Sequence, residues 1–177
     1  DIIDLVPIII GMPTGLKQTS STVSIGFSVV ESGNNTFTQG SVDLNLSPLD
    51  REVFVVTAIN LDPIAPDALK TKNTQTNCSL TTTSQTAVAT LSNSNCLATA
   101  NLDIRAAGFD DGGVGFTRNG METPPATLDY IGIIATNDFF VQIKGAENTS
   151  VKAVFGKMYG YRAAASADIY AALVQSR

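Results

Sequence analysis

The chain has 177 residues, room for one domain that buries a core without metal or disulfide staples. Apolar residues make up 44% and charged residues 15%, with mean hydropathy +0.15 and net charge −5. That balance excludes intrinsic disorder, and no run approaches the roughly 18 apolar residues of a membrane-spanning helix.

His and Trp are absent. Nucleophiles of the Ser-His-Asp and Cys-His kinds and His-ligated zinc are therefore excluded. The acidic pI, about 4.5, argues against a dedicated nucleic-acid binder. Ser, Thr and Asn number 14, 20 and 12, so the surface is hydrated largely by uncharged groups.

Thr, Val, Ile and Phe recur in short runs separated by Gly, Asn, Asp and Pro, which is strand-and-turn patterning. The apolar run 5–12 is broken by Pro7 and Gly11 and reads as an extended arm or edge strand. Strict alternation over 21–31 puts Val23, Ile25, Phe27 and Val29 on one face, and Ser32-Gly33-Asn34-Asn35 turns the chain. Residues 41–47 alternate with Val42, Leu44 and Leu46 inward, followed by a turn at Pro48. The stretch 51–61 is apolar on both faces and predicts a strand covered on both sides.

Pro63 and Pro66 make 62–73 a loop, with one helical turn expected at 66–69. Thr-rich strands are expected over 74–83 and 86–91, and an alternating one over 99–106. Residues 109–125 read as a long loop. A three-strand meander then covers 128–135, 139–144 and 150–161. Ala-rich residues 163–174, without Gly or Pro, predict the one convincing helix, with Ser166 as its cap.

No strand–helix alternation occurs, so a parallel α/β fold is not expected. The fold class read from this pattern is all-β: an antiparallel two-sheet sandwich of jelly-roll type, with an extended N-terminal arm and a short C-terminal helix or tail. The organisation is an arm over 1–20, the sandwich over 21–162 and the tail over 163–177.

Candidate sites are few. Cys78 and Cys96, 18 residues apart, form no zinc motif; they are a disulfide candidate or two unrelated small residues. Asp110 and Asp111, followed by Gly112-Gly113, offer a weak calcium site with Asp103 as a further ligand; the simpler reading is a turn. The glycines from Gly108 to Gly115 lack the Lys-Ser/Thr of a phosphate loop. No catalytic residue, cofactor or small-molecule substrate is expected. Residues 144–177 carry a net charge of +3 against −8 for the rest. That excess is either scattered surface charge or a face for an acidic partner such as a membrane headgroup, a genome or a neighbouring subunit.

The strand pair running from Asp138-Phe139-Phe140-Val141-Gln142-Ile143-Lys144-Gly145 to Tyr159-Gly160-Tyr161-Arg162, with the tail from Ala163 to Tyr170, resembles single jelly-roll viral capsid proteins. The nearest in character are those of sphaerolipovirus-type phages and archaeal viruses, whose shells enclose a membrane. The resemblance implies a virion location, self-assembly of copies into an icosahedral shell, and contact with a second capsid protein or with membrane or genome. Ile169, Tyr170 and Leu173 are the expected assembly tail. The alternatives are a carbohydrate-binding, adhesin or fibre-type sandwich, or a pilus or surface-layer subunit at the extracellular surface.

Overall fold

A computed structural model describes residues 14–119 and 128–175. The expected arm strand over 5–12 lies outside them. The elements are β1 (Leu16–Gln18), β2 (Val23–Val30), β3 (Thr38–Asp43), β4 (Glu52–Pro63), β5 (Asn73–Thr81), β6 (Cys96–Arg105), β7 (Val114–Asn119), β8 (Gly132–Ile134), β9 (Asp138–Ala146), β10 (Ala153–Ala165) and α1 (Ala167–Gln175).

All described strand pairs are antiparallel. With β1 and β7 set aside, eight strands nest in a simple order: β2 pairs with β10, β3 with β9, β4 with β8 and β5 with β6. The first strand meets the last and the fourth meets the fifth, so the chain is one long hairpin rolled up. That is the jelly-roll order, with sheets β2-β10-β4-β8 and β3-β9-β5-β6. β1 continues the line of β2 along the same edge of β10, and β7 extends the second sheet beyond β6.

The main core lies between the sheets. Val29, Leu44, Phe54, Val56, Ile59, Leu80, Ile134, Phe139, Val141, Ile143, Val154 and Met158 fill it. Phe27 meets Phe139 edge to face, with ring centroids 5.6 Å apart. A second cluster sits on the outer face of the first sheet, built from Val53, Val55, Tyr161, Ala163 and Ala165 and covered by Ile169, Tyr170 and Leu173 of α1.

This second cluster explains why 51–61 is apolar on both faces. β4 also changes face in mid-course. Its register against β10 steps from Ala58↔Tyr159 to Val56↔Gly160, leaving Thr57 as an extra residue. Phe54 and Val56 point inward before the bulge, and Ile59 and Leu61 after it. Thr57 Oγ1 donates to Tyr159 O at 3.1 Å.

Several boundaries differ from the sequence reading. The strand expected at 41–47 is β3 at Thr38–Asp43, because Asn45 takes φ 53° and leaves the ladder. Leu44 and Leu46 stay buried, their amides donating to Asn137 O and Asn137 Oδ1. Residues 86–91 form a loop rather than a strand, and 66–69 form no helical turn. The expected loop 109–125 contains β7. The sandwich claims Leu16–Gln18 and runs through Ala165, so the helix starts at Ala167 rather than 163. Small Ala163 and Ala165 fit beneath β1 and α1, and burial there outweighs their helix propensity. Ser166 caps the helix as expected, its Oγ accepting from the Ile169 amide at 3.3 Å.

Candidate assembly surfaces

Cys78 and Cys96 are free thiols. Cys78 pairs across the ladder with Ala100, whereas Cys96 pairs with Thr81. Three residues of strand separate the two rungs, about 10 Å, well beyond the reach of a disulfide. The disulfide candidate is therefore corrected to two separate cysteines. Cys78 Sγ donates to Ala100 O, and burial pushes its thiol up to about 12. Burial also raises Cys96. Neither thiol is a thiolate nucleophile near neutral pH.

Asp110 and Asp111 are exposed in the β6–β7 turn, where Gly112 takes φ 79°. Asp103 is not turned toward them: it is 5% exposed on β6 and bonded to Arg118 at 3.2 Å. Among the described residues, no group of three or more His, Cys, Asp or Glu side chains could hold a metal ion. The calcium candidate is thereby reduced to a turn with two carboxylates.

The basic excess of the C-terminal part does not form one surface. Lys152 is 4% exposed and reaches Asp67 at 2.6 Å. Arg162 donates to Leu44 O at 2.7 Å and pairs with Glu52 at 3.5 Å. Lys144 and Lys157 are exposed, but on outer faces of opposite sheets, at the rungs of Asn77 and Asn60. Arg177 lies outside the described residues. An acidic genome or membrane would meet isolated cations here, not a basic patch.

The polar residues at one end of the sandwich tie its turns together. Glu31 accepts the Gly145 and Lys152 amides at 2.8 and 2.7 Å. Asn148 accepts from the Asp67 amide and donates to Gln75 O. Asp67 also accepts from the Thr149 and Ser150 amides. The Lys152 ammonium holds the Asp67 carboxyl well below the usual carboxylate range, with help from Thr149 and Ser150 and against the effect of burial. Sequence patterning gave no signal for this cluster, since its members come from three separate turns.

The tail residues Ile169, Tyr170 and Leu173 are half-buried against their own sandwich. Exposed apolar side chains lie elsewhere, at Val30, Leu49 and Phe155 and along β7. Among the described residues, β7 pairs along one side only, with β6, and its side chains from Val114 to Arg118 are all exposed. Val114 is 46% exposed and Phe116 52%, with Phe109 exposed in the preceding turn. A strand edge of this kind offers unpaired backbone groups flanked by apolar side chains. The sequence reading missed it because Gly112, Gly113 and Gly115 looked like loop residues.

No protein-family model matches the chain, and no curated protein matches it. Among solved structures it is similar to a chain from Desmodium yellow mottle tymovirus, with a TM-score of 0.35 and 14% identity over 88% of this chain and 95% of that one. The jelly-roll assignment rests on the strand order above and not on this likeness.

Proposed function

We propose that this chain is a structural virion protein, a capsid subunit whose copies assemble edge to edge into an icosahedral shell, without a catalytic step. The observation that carries the reading is the β7 edge, apolar at Val114 and Phe116 and paired on one side among the described residues. Soluble monomers commonly protect such edges with charge, proline or a covering element, and large exposed apolar surface marks an interface. The jelly-roll order, the weakly charged surface and the apolar run 5–12 support it. Low surface charge lowers the desolvation cost of packing subunits together. A second capsid protein or an underlying membrane remains a partner in this reading, met by surfaces other than a basic patch.

Light scattering and electron microscopy of the purified chain test it. Capsomers or closed shells are expected. Val114→Lys, which adds a charge to the exposed edge, is expected to give dispersed subunits with an unchanged melting temperature. Unimpaired assembly of that variant would remove β7 from the interface.

A further inference from the structure

The outer face of the second sheet carries a polar groove that edge-to-edge packing leaves unused. Its floor is made by side chains pointing outward from three adjacent strands: Gln75 and Asn77 on β5, Thr99 and Asn101 on β6, and Arg118 on β7. Asn101 stands between Asn77 and Arg118 on the same rung. Loop 82–95 forms one wall, and Val88 and Leu91 line the cleft from it. The cleft is open to solvent on one side and offers about 430 Å³, the size of a small-ligand site.

The wall is fixed from below. Gln142, 0% exposed, accepts from Ser79 Oγ at 2.6 Å and donates to Thr81 Oγ1 and Gln39 Oε1, both at 2.8 Å. The same network takes in the loop backbone: Ser79 Oγ accepts the Ala89 amide at 3.0 Å, and Gln39 Oε1 accepts the Gln85 amide at 2.8 Å. The groove is therefore shaped before any ligand arrives, which lowers the ordering cost of binding.

We propose that this groove binds a neutral, hydroxyl-rich ligand: a glycan. Amides and hydroxyls both donate and accept, as sugar hydroxyls do. Two acceptors beneath this face, the buried Asn77 Oδ1 and Asp103 Oδ1, have no protein donor, so the side chains of the floor carry unmet acceptor capacity. Asp103 Oδ2 neutralises Arg118, the one cation of the lining, and orients its guanidinium. An anion thus meets no excess positive charge among the lining residues, the nearest further cation being Lys144, beside Asn77 on the same rung. Leu91, 54% exposed, gives an apolar wall for the C–H face of a sugar ring. Within the cleft an extended peptide finds no strand to pair with, because β5 and β6 already carry neighbours on both sides and the open edge of β7 faces away from them.

The test is an array of neutral and sialylated mono- to tetrasaccharides probed with the purified chain, followed by titration of the tightest-bound sugar. Saturable binding of a neutral saccharide is expected. Its affinity should fall about tenfold or more in Asn101→Ala and in Arg118→Ala. Val30→Ala on the other sheet should bind as the parent does, and circular dichroism of all variants should match. The proposal is overturned if no sugar binds, if only charged saccharides bind, or if both groove variants keep full affinity. Assembly plays no part in this reading, so the mass of the same preparations reports separately on the capsid role.

Discussion

Gly160 lies where β4 carries the extra residue Thr57 against β10. A Cβ on Gly160 would stand 2.1 Å from Val55 O and 2.6 Å from the Phe54 ring. Backbone cannot yield as a flexible side chain does, so Gly160→Ala is expected to destabilise the fold by about 3 kcal/mol in urea unfolding. An unchanged midpoint would mean that β4 and β10 separate freely there. Asp67 is the second sensitive residue. Its carboxyl is held low in the folded state, so it contributes stability that is present above the ordinary carboxylate range and is lost as pH falls below about 4. Melting temperature is expected to drop across that acid range, and Asp67→Asn should flatten the drop there. At neutral pH the same variant leaves the buried Lys152 unpaired, at a cost of about 3 kcal/mol. An acid profile identical to the parent's would contradict the Lys152–Asp67 pairing. Much of the core was legible at this scale: Leu44 and Leu46 were read as inward and are buried even though the ladder ends at Asp43. The Asp67 cluster was not, because nothing in sequence spacing joins Glu31, Asp67 and Lys152.

At the scale of elements, α1 changes the meaning of the C-terminal tail. Its half-buried residues cover Val53, Val55 and Tyr161 of the same subunit, so it is part of one fold before it is part of an assembly. Replacing Ile169, Tyr170 and Leu173 together by Ser is expected to cost about 3 kcal/mol of folding stability, read as a lower urea midpoint. If the midpoint holds and only assembly falls, α1 serves neighbours rather than its own sheet. The alternating β2 and the meander strand β9 lie near their expected places, whereas the alternating stretch 41–47 leaves its ladder after Asp43. Those misread have physical reasons. Residues 86–91 look strand-like in composition, yet the Ala89 amide is drawn onto the buried Ser79–Gln142–Gln39 network and the segment forms a loop. β7 was taken for loop because of its glycines, although it completes the edge of the second sheet. Residues 163–165 read as helix, but their small side chains are what allows β1 and α1 to approach β10.

For the whole molecule, the sandwich class followed from turn spacing and the absence of strand–helix alternation. The nested order that makes it a jelly roll is a matter of long-range pairing, which composition does not encode. Charge also reads differently at this scale. The sequence concentrates cations after residue 143, while the fold buries Lys152, engages Arg162 and parts Lys144 from Lys157 across opposite sheets. What remains outward is a weakly acidic, polar surface with exposed apolar side chains along β7 and also at Val30, Leu49 and Phe155. The most direct measurement is the mass distribution of the purified chain by light scattering over rising protein concentration. Discrete species far above the 18.5 kDa subunit, growing with concentration, are the predicted result. A single 18.5 kDa species at every concentration would contradict the capsid role.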